Sequence, residues 1–219
     1  MKRFACVAVV CLVATLGLGA RPAYAQAAPA ADSQMYAEIN FGPTLGHKSD
    51  AFVGGEFGYR LTETLDLFVE GGHMGNVATS DLDDRAAIIA NFLGGSAATA
   101  FKVNAFDVGV RYRIPVAAKV DPYVLGAIGF ANVKTEVEFS VNGTAIDPAA
   151  RGVQLGGDLS GTHNKAILVI GFGINKTFKT RYFADLGYRY GQIFAKTDNF
   201  ETDTGIPTQR IILGAGIRF

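Results

Sequence analysis

Six acids, Glu38, Glu56, Asp66, Glu70, Asp107 and Asp185, and six arginines, Arg60, Arg111, Arg113, Arg189, Arg210 and Arg218, stand one at a time among glycines and apolar residues. Such a set suits two chemistries if the fold gathers it. Enclosed together, the charges form a salt-bridged network, in which losing one partner strands a buried charge at a cost on the order of 3 to 5 kcal/mol. Lining an open tube, they form an ion path. The equal numbers favour the network.

Groups for covalent or acid-base chemistry are scarce. The histidines are His47, His73 and His163. Glu70 and His73 lie three apart, which on a strand sends them to opposite faces. Ser80, Ser96, Ser140 and Ser160 lack the histidine and carboxylate in register that nucleophilic catalysis needs. Glycines 94, 95, 171 and 173 lack the lysine and spacing of a phosphate loop. No catalytic residue, cofactor or metal site is expected, and no enzyme.

The elements that position the charges follow from a period of two. Met35, Ala37, Ile39 and Phe41 alternate with Tyr36, Glu38, Asn40 and Gly42. Ala51, Val53, Phe57, Tyr59 and Leu61 oppose Gly54, Glu56, Gly58 and Arg60, and Leu65, Leu67 and Val69 oppose Asp66, Phe68, Glu70 and Gly72. A fourth strand sets Phe106 to Ile114 against Asp107 to Arg113. A fifth, ambiguous from Tyr123, settles as Val133, Val137, Phe139 and Val141 against Lys134, Glu136, Glu138 and Ser140. It exceeds the ~9 to 11 residues that cross a bilayer and should project beyond it. Strands six and seven run through Leu168 to Asn175 and Tyr182 to Tyr190. The eighth, "RIILGAGIRF" (Arg210 to Phe219), places the sequence's last residue inside an alternating strand. A strand paired on both sides is what barrel closure requires. The expected fold is therefore all-β, an eight-stranded antiparallel up-and-down transmembrane barrel.

Lys2 and Arg3 precede the apolar run Phe4 to Leu18, and Ala23, Tyr24 and Ala25 form a small-x-small cleavage site. That pattern reads as a signal peptide over residues 1–25, followed by a linker over 26–34 and the barrel over 35–219. Both cysteines, Cys6 and Cys11, fall in the leader, so disulfide and thiol chemistry are excluded downstream. A formal charge of zero argues against nucleic acid.

Links at Thr62 to Thr64, Pro115 to Asp121 and Lys176 to Thr180 are short; those at Asn76 to Lys102, Asn142 to Lys165 and Phe194 to Thr208 are long, and only Gly46 to Asp50 is brief on that side. Outer-membrane barrels have short periplasmic turns and long outer loops, so the start of the first strand and the end of the last belong on the periplasmic side. The polar face, glycines beside isolated charges, suits a narrow interior that side chains just fill; the apolar face then meets lipid. Tyr59, Tyr112, Tyr123, Tyr182 and Phe219 near one end are expected to form an interfacial girdle.

The segments "FGYRLTETLDLFVEGG" (Phe57 to Gly72), "DPYVLGAIGFA" (Asp121 to Ala131), "FADLGYRYG" (Phe183 to Gly191) and the terminal "GAGIRF" resemble the small bacterial outer-membrane β-barrel domain family, relatives of the OmpA-type transmembrane domain. The resemblance covers nearly all of the chain after the leader. It implies that Leu213, Ile217 and Phe219 serve as the signal read by the barrel-assembly machinery. It further implies periplasmic chaperones in transit, outer-membrane lipid and lipopolysaccharide as surroundings, and a monomer in the bacterial outer membrane. The sequence ends at its barrel, with no peptidoglycan-binding domain after it, which departs from two-domain relatives.

The second outer loop is the most individual stretch. Ser80 is placed to cap a helix over Asp81 to Leu93, with acids Asp81, Asp83 and Asp84 at its N-terminal end and Gly94 after its close. Leu82, Ala86, Ile89 and Leu93 share one face. That face either packs on the barrel rim or forms a lid or contact site for a hydrophobic partner. The third loop reads as glycine-rich and mobile. The fourth, with Asp198, Glu201 and Asp203, reads as a solvated acidic run with divalent cations as the sharper option. The expected role is structural or surface-interactive through the loops, with a largely closed lumen. A narrow pore or hydrophobic-compound conduit is the alternative.

Overall fold

The protein is described from a computed structural model over residues 34–116, 120–155, 159–178, 181–194 and 205–219. The leader, nearly all of the linker, and Asp198, Glu201 and Asp203 lie outside the described residues. Among the described residues the strands are β1 (Met35–Leu45), β2 (Ala51–Arg60), β3 (Leu65–Met74), β4 (Ser96–Arg113), β5 (Asp121–Val141), β6 (Thr144–Ile146), β7 (Gly161–Phe178), β8 (Tyr182–Phe194) and β9 (Ile206–Arg218), and an α-helix, α1, spans Ser80–Phe92. Every pairing is antiparallel. β1 pairs with β2 and with β9, and the β4–β5 pairing joins the remaining ends of the sheet. The result is a closed eight-stranded barrel, with β6 a short hairpin partner of β5 outside the ring. Closure extends to the last residue, where Phe219 exchanges backbone hydrogen bonds with Met35 at 2.9 and 3.1 Å.

Alternation decides which side chains turn inward. Ile39, Phe41, Val53, Val108, Ile128 and Phe172 are exposed on the outer surface, while Glu38, Glu56, Glu70, Asp107, Arg111 and Arg189 are buried inside. A soluble barrel would invert this. Grease outside and charge inside is the arrangement that a lipid solvent selects, because closure satisfies every backbone group and lipid takes the apolar face. The close approach of β4 and β5 requires glycine at one inward position: a Cβ on Gly129 would lie 2.0 Å from the carbonyl oxygen of Phe106 on the neighbouring strand.

Two boundaries differ from the sequence reading. β4 begins at Ser96 and β7 at Gly161, both within stretches read as loop, because together with β5 they continue past the bilayer as a wall. On that wall Val133 and Phe139 face inward and Lys134 and Glu138 outward. Beyond the membrane the outer face meets water and the inner face meets protein, so the polarity of the strand reverses there. Lys102 and Lys134 flank Glu136 on the wall at 2.6 and 2.7 Å, and these hydrogen bonds hold its carboxyl down to about 2.

The third loop also departs from expectation. Asn142 (φ 51°) and Gly143 (φ 78°) form a two-residue hairpin turn that returns β6 onto β5, the conformation for which Asn-Gly is favoured. A short 3-10 turn at Pro148–Arg151 follows, with the Asp147 side chain accepting from the Ala149 amide at 2.9 Å. The part of this loop that is described is folded on to the wall through Ile146 and Val153.

Candidate functional site: the filled lumen and its outer cap

The middle of the lumen holds a continuous chain of ion pairs. Arg111 bonds Glu56 at 2.7 Å and stands 4.0 Å from Glu38. Arg189 bonds the other oxygen of Glu56 at 3.0 Å and also pairs with Glu70, which Arg210 grips at 2.5 Å. Strands β2, β3, β4, β8 and β9 are thus tied across the bore, not merely to their neighbours. Aromatic side chains complete the layer. The hydroxyl of Tyr36 donates to Glu56 at 2.6 Å and that of Tyr123 to Asp185 at 2.7 Å. The Arg111 guanidinium lies 4.4 Å from the Tyr123 ring centre and that of Arg210 4.4 Å from Phe52, close enough for cation–π attraction.

Nearer the end where β1 begins and β9 ends, Asp66 accepts from Arg113 at 3.0 Å, with Arg60 at 3.8 Å. Arg218 donates to Thr177 and, at 3.0 Å, to Asn175, with its guanidinium 5.0 Å from the Phe183 ring centre. Tyr36, Arg60, Asp66, Arg113, Asn175 and Arg218 are among the residues lining a recess of about 10 Å³, which is roughly what one water needs.

The outer half of the lumen is apolar. Phe52, Met74, Phe101, Val103, Ile193 and Ile206 are buried there, and Leu82 of α1 and Leu159 join the same cluster. A second cluster holds Ala90, Leu93 and Phe139, with Ile89, Ile146 and Val153 against it. α1 is therefore packed against the wall and the described part of the third loop. Its first cap is Thr79, which makes no side-chain capping bond, and not Ser80; Gly94 after its close has φ +72°.

One carboxylate fastens this cap. Asp83 of α1 accepts from the Thr99 hydroxyl of β4, and its other oxygen lies 2.7 Å from His47 Nε2 and 3.0 Å from Lys48 Nζ in the first outer loop. Partial burial pushes the Asp83 carboxyl up, but the hydrogen bonds from Thr99, His47 and Lys48 outweigh it and hold it below the ordinary carboxylate range. A carboxyl whose value is lower docked than free stabilises docking above its free value, about 3.9. That contribution is lost as pH falls through the docked value. Hydrogen-exchange protection of the α1 amides is accordingly expected to drop below about pH 4 while protection in the barrel strands stays; equal loss in both would contradict the assignment.

All twelve charges named from the sequence face the bore, but they do not form one set. Arg60, Arg113 and Arg218 gather with Asp66 at the mouth, whereas Glu38, Glu56, Glu70, Asp107 and Asp185 share the middle with Arg111, Arg189 and Arg210. Leu213, Ile217 and Phe219 are on the outer surface. Leu82, Ala86 and Leu93 are buried and Ile89 is packed against them. Tyr59, Tyr112, Tyr182 and Phe219 are exposed outside as girdle residues would be, but Tyr123 is not one of them: at 1% exposure it is inside, bonded to Asp185. Strand β5 offers apolar residues on both faces at Tyr123 and Val124, so alternation alone could not choose. Glu70 is buried and His73 exposed, where His73 pairs with Asn104 at 2.8 Å. Ser96 bonds Ser140 at 3.0 Å. Sequence reasoning missed the aromatic partners Tyr36, Phe52, Phe68 and Phe183, although Tyr36, Phe68 and Phe183 each occupy an inward parity position two residues from a named charge.

A family model described as the outer membrane protein beta-barrel domain matches residues 10–219. A comparison with curated proteins returns no match. Among solved structures, Neisserial surface protein A aligns with a TM-score of 0.51 at 14% identity, covering 85% of this chain and 98% of that one. The N-terminal β-barrel domain of Pseudomonas aeruginosa OprF aligns with a TM-score of 0.48 at 16% identity, covering 86% and 100%. The attachment invasion locus protein Ail of Yersinia pestis gives 0.47 at 18% identity, covering 86% and 99%. At these identities the likeness to Neisserial surface protein A speaks for the fold alone. The matched family model spans nearly the whole sequence, and the chain belongs to the outer membrane protein beta-barrel domain family.

Proposed function

We propose that the protein is a closed outer-membrane barrel with a structural and surface-interaction role, carried out by its outer cap and not by transport through its bore. The observation that supports this reading is the cap itself: α1 is packed against the wall and the described part of the third loop, yet Ile88 and Phe92 of α1 are 70% and 82% exposed. A folded platform with two protruding apolar side chains is suited to contact. Lipid and lipopolysaccharide surround the apolar exterior, and Leu213, Ile217 and Phe219 are read by the barrel-assembly machinery after delivery by periplasmic chaperones. The barrel works as a monomer, without catalysis.

The test uses cells that carry the protein at equal surface levels. An Ile88→Ser, Phe92→Ser double variant is expected to keep its heat-modifiable gel shift and to lose at least half of the adherence to alkyl-coated beads that the parent confers. Unchanged adherence would remove the cap from this role. The conduit alternative draws on the apolar outer half of the lumen. It would require the Arg111, Glu56, Arg189, Glu70 and Arg210 layer to part.

A further inference from the structure

The outer face of the wall is layered by register across three adjacent strands. Val108, Ile128 and Leu168 face outward side by side on β4, β5 and β7, and Phe106, Phe130 and Ala166 form the next row towards the loops. Phe106 and Phe130 are 54% and 71% exposed, as side chains turned to lipid must be. Two residues further along each strand, all three change at once to asparagine. Asn104 pairs with Asn132 and Asn132 with Asn164, and His73 of β3 continues the row. Lys102, Lys134 and Thr162 stand in the row beyond.

That switch marks where the hydrocarbon stops. The strands continue beyond it, so the amide row is the first part of the wall to meet the headgroups of the outer leaflet, whose polar layer adds about 5 to 7 Å on each side of the hydrocarbon core. The row is also held in place. Asn132 Nδ2 donates to Asn164 Oδ1 at 2.7 Å, and His73 Nδ1 lies 2.8 Å from Asn104 Oδ1. A side-chain amide has two donors and two acceptor lone pairs, so a sideways bond leaves capacity for a ligand while restricting rotamers that binding would otherwise have to order. Donors and acceptors set along one row suit hydroxyl and amide groups, which both give and accept, whereas a phosphate presents acceptors. Among the described residues of this outward face, Lys102 and Lys134 are both bound by Glu136, and Glu138 is exposed two residues beyond it. The face is thus built to hydrogen-bond neutral groups more than to attract charge.

We propose that the Asn104, Asn132 and Asn164 row, with His73 at its end, binds the sugar headgroup of an outer-leaflet glycolipid whose acyl chains lie on Phe106 and Phe130. The inference rests on the reading that lipid and lipopolysaccharide surround the apolar exterior, and it deepens that reading by naming where a sugar sits. The contact face on α1 takes no part in it.

The test is solution NMR of the refolded protein in phosphatidylcholine nanodiscs, titrated with monophosphoryl lipid A or, as a match in charge without the sugars, phosphatidylglycerol. The side-chain amide signals of Asn104, Asn132 and Asn164 are expected to shift along a saturating curve with lipid A and to stay in place with phosphatidylglycerol. The Asn132→Ala, Asn164→Ala variant, followed on Asn104, is expected to need about tenfold more lipid A for half-saturation, as the loss of one or two hydrogen bonds implies. Equal shifts with phosphatidylglycerol would mean that charge alone is sensed and would overturn the proposal. So would the absence of a saturable shift in the parent, or an unchanged half-saturation in the variant. Should the double variant fail to fold, Asn104→Ala followed on Asn132 and Asn164 is judged by the same criteria. A parent that stays out of the nanodisc overturns the membrane reading and this inference together; one that enters but ignores lipid A overturns this inference alone.

Discussion

Replacing Arg189 by alanine is expected to destabilise the folded barrel by on the order of 3 to 5 kcal/mol, seen as a large fall in the urea concentration at which the heat-modifiable gel shift is lost. Arg189 is 1% exposed and bonds both Glu56 and Glu70. It is the link between the Arg111 pair on one side and the Arg210 pair on the other. Removing it leaves two carboxylates in a narrow low-dielectric bore with one arginine fewer between them. Arg189→Lys keeps the charge but replaces a fork by a point donor, so it should recover only part of the loss, because one ammonium cannot hold two carboxylates in the same geometry. A midpoint for Arg189→Ala within experimental error of the parent would mean that the network contributes nothing to closure.

Gly129→Ala is expected to be as severe, for a steric reason. The added Cβ would meet the Phe106 carbonyl oxygen at 2.0 Å and the Asp107 Cα at 2.6 Å. Both are backbone atoms of β4, so relief requires the β4–β5 ladder to separate locally. The cost should reach or exceed the about 3 kcal/mol upper range of ordinary overpacking. Gly126 is the internal control, three residues earlier on the same strand, where an added Cβ meets nothing within 4 Å. Gly126→Ala should stay within about 0.5 kcal/mol of the parent. Equal yields of folded Gly129→Ala and Gly126→Ala barrel would contradict this account of the interior.

What alternation could reveal and what it could not are both visible in particular residues. Where one face is charged and the other apolar, as at Glu38 and Ile39 or Arg111 and Val110, a period of two sets the inside and outside without ambiguity. Where both faces are apolar the signal fails: alternation places Tyr123 in the girdle, whereas its hydroxyl donates to Asp185 inside the bore. The rule also fails where the solvent changes along one strand: Val133 and Phe139 are on the inward face because the outer wall stands in water and is lined by the cap. Long-range pairing was out of reach. Glu56 and Arg189 are 133 positions apart, and only the closed ring brings their strands to face each other across the bore. The outer cap was legible in part. The helical face of α1 is written in Leu82, Ala86, Ile89 and Leu93, but adjacent Thr79 and Ser80 are equally eligible as caps, and the Asn142-Gly143 hairpin turn was legible yet read as a mobile loop.

Single-channel recording of the refolded protein in a planar bilayer tests the central claim most directly, that ion pairs fill the bore beneath a packed cap. The expected record is silent, and it should remain silent when residues 76–95 are replaced by a short glycine-serine link, because the Arg111, Glu56, Arg189, Glu70 and Arg210 layer still closes the lumen below. Stable, reproducible conductance steps from the folded parent, or their appearance once the cap alone is removed, would contradict the claim.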